Sequence, residues 1–286
     1  MPRARVISLL PLSLPLLPGL LVAQATSARI GMAAGTLTDG RGIRATALSV
    51  TPAVAFSPAP AVALVASGSG TRFTTGDWAL GGAAGLVVRE PVARRLSLLF
   101  DGGAGVTRTS YGILYRSAEA APRVELSLGP VTLGAGGHAA YGASIRIPRS
   151  SGGLPTAPSP AASVRTALGG SAGASVRICV PGTHSASVTL AVREQRDRIG
   201  AVTITDRSGS VLFATGPLRM SGWLGQRRAA DERTTFGGTG IEFAVTPSVS
   251  VAGAAEQYPT NRLLGLAGGR SLSAGLVLRT APPTSH

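Results

Sequence analysis

Residues Val131 to Ile147, VTLGAGGHAAYGASIRI, constrain this chain more than any other stretch. Every second residue from Val131 gives Val, Leu, Ala, Gly, Ala, Tyr, Ala, Ile, Ile, with nothing polar beyond the tyrosine hydroxyl. The interleaved set (Thr132, Gly134, Gly136, His138, Ala140, Gly142, Ser144, Arg146) holds no large apolar residue. A period of two is a β-strand with one apolar and one small or polar face. Ordinary strands run about 5–6 residues, and a strand crossing a bilayer at a tilt needs about 9–11. This one is long enough to cross and project beyond, which points to a closed antiparallel sheet in a membrane.

Alternation recurs from Ala61 onwards. Trp78, Leu80, Ala84, Leu86 and Val88 share one face, and so do Leu96, Leu98, Phe100, Ala104 and Val106. Val124, Leu126 and Leu128 follow, then Val164 to Val180, and Val188, Leu190 and Val192. Glu194–Arg198 reads as a charged loop, and Asp206-Arg207-Ser208-Gly209 as a turn inside a weak strand region. Further crossings are expected over Leu218–Gln226, Phe236–Val245, Val249–Glu256 and Leu272–Leu278. The expected fold is all-β, a closed antiparallel transmembrane β-barrel of about 12 strands, within a range of about 10–14. Short turns at Glu90–Arg94, Gly129-Pro130 and Thr246-Pro247 alternate with longer loops at Ser67–Gly76, Pro148–Pro160, Gln226–Arg233 and Gln257–Arg270. That alternation is a second sign of a membrane barrel, and an even strand count puts both chain ends on the periplasmic side. A soluble sandwich also alternates, but its outer face would carry more charge than the 14% found here.

Residues 1–25 have the order of a secretory signal: Arg3 and Arg5, an apolar run from Val6 to Val22, then Ala-Gln-Ala. Pro11, Pro15 and Pro18 argue against a spanning helix there. Residues 26–60 read as a periplasmic lead-in, because Pro52, Pro58 and Pro60 disfavour regular pairing. The barrel is then expected over 61–279, with a tail at 280–286.

At this point the chain resembles bacterial outer-membrane β-barrel proteins as a class, from roughly Ala61 to Arg279. The resemblance implies residence in the bacterial outer membrane after removal of the leader, with outer-membrane lipid as neighbour. The chain departs from the class in two places. Its last strand, SLSAGLVLR, lacks a terminal aromatic residue, and Trp78, Tyr111, Tyr115, Tyr141, Trp223 and Tyr258 are the only Trp and Tyr available for interfacial girdles.

Charge directs the functional reading. The formal net charge is +14, and all basic residues other than histidine are arginine. Nucleic acid is not an expected partner, since the arginines are scattered and not gathered with aromatics on one element. Opposite the apolar residues fall Arg89, Arg95, Arg123, Arg165, Arg177, Arg193, Arg219 and Arg279, joined by Asp101, Glu125, Glu242 and Glu256, and by His138. Inward charges set the selectivity of a pore, and an excess of arginine favours anions. The expected function is a passive pore with mild anion preference, passing small anionic solutes. One alternative is a closed structural or surface-interaction barrel whose outer loops bind a partner or lipopolysaccharide phosphates. A second is a lipid hydrolase using His138. Neither His138 nor His184 has a serine two residues on, so no catalytic residue is assigned and an enzyme is not expected. No cofactor is expected: the phosphate loop requires a lysine, which the chain lacks. No metal site is expected from one cysteine and three widely separated histidines.

Overall fold

A computed structural model describes residues 27–39, 44–146, 162–180, 186–230, 232–260 and 268–280. The leader, the Pro148–Pro160 loop, His184 and residues 281–286 of the tail lie outside the described residues. Fourteen strands follow one another: β1 (Ser27–Asp39), β2 (Arg44–Ala59), β3 (Val62–Phe73), β4 (Trp78–Ala93), β5 (Leu96–Thr109), β6 (Ile113–Leu128) and β7 (Val131–Arg146) form the first half. The second half is β8 (Ala162–Val180), β9 (Ala186–Ile199), β10 (Val202–Thr215), β11 (Leu218–Ala229), β12 (Glu232–Thr246), β13 (Val249–Tyr258) and β14 (Gly269–Arg279). Each strand pairs with its sequence neighbours, and β1 pairs with β14 from Arg29↔Arg279 to Asp39↔Gly269. The sheet closes on itself and leaves no edge, which is what a sheet in hydrocarbon requires.

The strand count is two above the expected twelve, at the upper end of the range. Both additional strands come from the stretch read as a lead-in, and that reading is corrected here: residues 27–39 and 44–59 are β1 and β2 of the wall. Proline misled the sequence argument. Pro52 lacks a donor, yet β2 pairs β3 on both sides of it, at Val50↔Gly70 and Ala53↔Ser67. Gly68 makes the room, since a Cβ there would stand 3.2 Å from the proline ring. Pro122 in β6 is likewise flanked by regular pairing with β7, at Ala120↔Ala139 and Arg123↔Gly136. One missing hydrogen bond per strand is tolerated where a facing glycine admits the ring.

The end of the barrel that holds Ser27 and Arg279, the terminal end, has tight turns. Gly129 and Gly216 take left-handed φ values of 64° and 48°, each followed by a proline whose fixed φ suits the next turn position. The opposite, loop end carries the longer connections, along with the two-residue turn Gly200-Ala201 between β9 and β10.

Register assigns every residue to a face, because directly paired residues share one. Leu80, Leu168, Val192, Leu224 and Leu272 all point outward, each more than half exposed. A continuous outer ring of exposed large apolar side chains on a closed sheet marks a transmembrane β-barrel, since water would not tolerate it. The inner face is small and polar, with buried apolar residues toward the loop end, among them the cluster of Leu37, Ala47 and Phe73. Tyr115, Trp223 and Tyr258 also share the inner face, so of the girdle candidates only Trp78 and Tyr141 face outward from strands.

Candidate functional site: the inward polar face

The inner face is built on gaps. Gly134 and Gly136 of β7 pair with Gly173 and Ser171 of β8, and Gly169 of β8 pairs with His138. Side chains from flanking strands reach over these gaps. His138 Nδ1 on β7 meets Asp197 Oδ1 on β9 at 2.9 Å, crossing β8 above Gly169. A Cβ at Gly169 would overlap the Asp197 carboxylate and the Arg196 carbonyl, so only glycine permits the contact. Gln195 Nε2 donates to Asp197 Oδ2 at 2.6 Å and lies 3.4 Å from His138 Nδ1. His138 and Asp197 side chains are 14% and 16% exposed, so the pair is largely withdrawn from solvent.

A second group spans β4 to β6. Arg123 donates through Nη2 to Asp101 at 2.9 Å and lies with Nε 3.5 Å from Glu125, whose other oxygen is 3.6 Å from Arg89. A third lies near the loop end, where Arg227 grips Asp206 with two hydrogen bonds of 2.8 and 2.6 Å. Arg227 also donates to the Thr260 carbonyl at 2.8 Å and stands over the Phe236 ring at 5.9 Å. Phe236 in turn packs against Trp223, with ring centroids 5.8 Å apart.

The terminal end differs in charge. Arg29 is paired directly across the closing seam with Arg279, and Arg219 is paired with Glu242. Arg279 makes an ion pair with Glu242 across β13. Arg29 lies within Coulombic reach of Arg219, and Arg279 of both. Three arginines thus cluster around a glutamate that is ion-paired with one of them, Arg279.

Of the residues singled out from sequence, register places Arg89, Asp101, Arg123, Glu125, His138, Arg165, Arg177, Arg193, Arg219, Glu242, Glu256 and Arg279 on the inner face. Arg95 is corrected: it lies in the two-residue turn between β4 and β5, because β4 extends through Pro91 to Ala93 and uses up the residues read as turn. The structure brings Arg89, Arg123, Asp101 and Glu125 together and joins Glu242 to Arg279. It gives Arg193 and Arg219 no ion pair among the described residues.

Sequence reasoning missed Asp197, Gln195, Asp206, Arg227 and Arg29. Glu194–Arg198 is not a loop but the end of β9, and Asp206–Gly209 lies within an unbroken β10. Near the loop end both faces are polar, so the contrast that reveals alternation vanishes. Continuing the period of two from Val188 would have put Asp197 inside and Glu194, Arg196 and Arg198 outside.

No family model matches the sequence, and no curated protein matches it. Solved structures do match in shape. CdiB from Acinetobacter baumannii aligns at a TM-score of 0.50 and 8% identity, over 91% of this chain and 60% of CdiB. The siderophore receptor PirA from the same species aligns at 0.41 and 8%, over 82% of this chain and 43% of the receptor. A loop-deleted OmpT, an outer membrane protein of Vibrio cholerae, aligns at 0.42 and 10%, over 90% and 98%. The chain spans about half or less of the length of the siderophore receptors it matches. The fold is that of bacterial outer-membrane β-barrels.

Proposed function

We propose that this outer-membrane barrel is a passive pore with a mild preference for small anions, set at its terminal end. The observation that carries this reading is the group of Arg29, Arg219 and Arg279 around the single carboxylate of Glu242. Elsewhere on the inner wall Arg89, Arg123 and Arg227 are held by acids in the Arg89–Glu125–Arg123–Asp101 and Arg227–Asp206 groups, and Arg193, though without an ion pair, lies within Coulombic reach of Asp101, Asp197 and Asp206. Matched pairs add little net field, so selectivity falls to the unmatched end, where a low-dielectric wall concentrates the potential. The test is the reversal potential of refolded protein in planar bilayers under a potassium chloride gradient. Wild type should favour chloride, and Arg29→Gln with Arg219→Gln should abolish the preference. A silent bilayer or a cation preference in wild type refutes the reading.

A second reading, a closed structural barrel, is favoured by the His138–Asp197–Gln195 and Arg123 networks, which tie strands together across their neighbours. It expects no conductance at all. For the hydrolase reading, His138 faces inward, away from the bilayer lipid that such an enzyme would cleave.

A further inference from the structure

The outward arginines are not spread over the outer wall. Arg44 and Arg270 both stand beside Thr38, on β2 and β14. Arg72, Arg108 and Arg116 face out from β3, β5 and β6, opposite Leu48, Leu80 and Val106. Arg196 and Arg198 of β9 and Arg207 of β10 gather near Glu194, which binds Arg196 and Arg207 at 2.7 Å each. Arg228 of β11 is paired directly with Arg233 of β12. All ten lie within five residues of the loop end of their strands, on nine of the fourteen strands. Among the described strand residues, Glu194 is the one acid on that outward band.

Below this band the outer face turns apolar. Phe56, Leu64, Leu98, Leu126, Leu190, Phe243, Val251 and Leu276 illustrate it. No arginine faces outward there among the described strand residues. The barrel wall is therefore hydrocarbon-compatible at one end and strongly cationic at the other.

We propose that this band is a lipid-headgroup girdle that binds phosphate-bearing headgroups of the leaflet at the loop end. Three observations support a lipid in preference to a protein partner. The band circles the barrel, and a bilayer is the surface that meets a barrel on all sides at one height, whereas a protein covers one side. It lies along the loop-end margin of the apolar belt, where Arg72, Arg108 and Arg116 stand beside outward Leu48, Leu80 and Val106, which is headgroup level for a strand tilted through the hydrocarbon. Its charge is largely uncompensated, with Glu194 alone set against ten arginines, and Arg228 facing Arg233 is a like-charge cross-strand pair, destabilising unless an anion lies between. Arginine suits the task, since its fork binds phosphate oxygens in pairs. Near the loop end a groove of about 540 Å³ is lined by Arg44 and Arg270 together with Thr36, Thr38, Thr235 and Gln257, and also by inward residues such as Trp223 and Glu256. That is within the range of small-molecule sites. The girdle occupies the place where aromatic residues usually mark the interface.

The test uses the full chain refolded into phosphatidylcholine bilayers containing a minor fraction of phosphatidic acid. The lipid that co-purifies after gentle detergent extraction is then measured by mass spectrometry. Phosphatidic acid should be enriched several-fold over bulk and stay enriched with excess inorganic phosphate present. The variant R44Q/R228Q/R233Q/R270Q should fall to the bulk ratio, while R29Q/R177Q/R193Q, which removes inward charge, should retain the enrichment. Equal enrichment in the two variants, none in wild type, or complete displacement by inorganic phosphate overturns the proposal. Heat-modifiable gel mobility checks that each variant has closed. If the fourfold variant does not close, R228Q/R233Q alone decides. In pure phosphatidylcholine it should refold at least as well as wild type, and added phosphatidic acid should help it less. A pair that refolds worse in phosphatidylcholine and responds to phosphatidic acid as wild type does would equally overturn the proposal.

Discussion

Replacing Gly169 by alanine should damage the barrel from within without altering its charge or its lipid-facing surface. The added methyl would overlap both the Asp197 carboxylate and the Arg196 carbonyl. The carbonyl belongs to the β9 backbone and cannot swing aside, so the strand must shift or the Asp197 side chain must leave. Overpacking of this kind costs about 1–3 kcal/mol. Loss of the hydrogen bond to the charged carboxylate adds about 1.5–3 kcal/mol, so a total of at least about 2.5 kcal/mol is expected. The comparison is Gly209→Ala on β10, where the new methyl would meet only the Ala191 carbonyl at 3.8 Å, an ordinary contact. That change should be neutral or stabilising by about 0.4–1 kcal/mol, since it narrows the unfolded ensemble. Urea titration of the barrel folded in lipid vesicles reads both. With a slope of about 3 kcal/mol/M, Gly169→Ala should lower the midpoint by about 1 M. Equal midpoints for the two variants would refute the claim that glycine at 169 exists to let His138 and Asp197 meet.

Three further outcomes follow from the geometry. Arg227→Ala removes the hydrogen bonds to Asp206 and to the Thr260 carbonyl, so limited proteolysis should cut the connection after β13 faster than in wild type. Ala139 faces outward near the middle of β7, and Ala140 faces inward opposite Glu119. Arginine at 139 should cost about 2–4 kcal/mol in vesicle-folded protein, and arginine at 140 markedly less, because it meets a carboxylate and not hydrocarbon; equal losses would contradict the assignment of faces. Asp77 accepts hydrogen bonds from Thr75 and Ser110 and is bound by Tyr111, tying two loops together. Asp77→Ala should therefore speed hydrogen exchange of backbone amides at 73–78 and 110–113 while leaving the β7–β9 wall unchanged.

The sequence alone carried the barrel, the outward face of each clear strand and most of the inward charges. Those follow from a period of two, and a pleated strand enforces that period whatever surrounds it. It did not carry β1 and β2, because a proline's cost depends on what stands opposite, and Gly68 is far from Pro52 in sequence. Nor did it carry the Asp197–His138 contact or the grip of Arg227 on Asp206, since register between strands decides which side chains meet. Arg95 fell on the expected face by counting and left it because the turn begins later than Pro91 suggests. The girdle shows the same division. Its arginines are plain in the sequence, but only the closure of fourteen strands gathers them at one end of the wall.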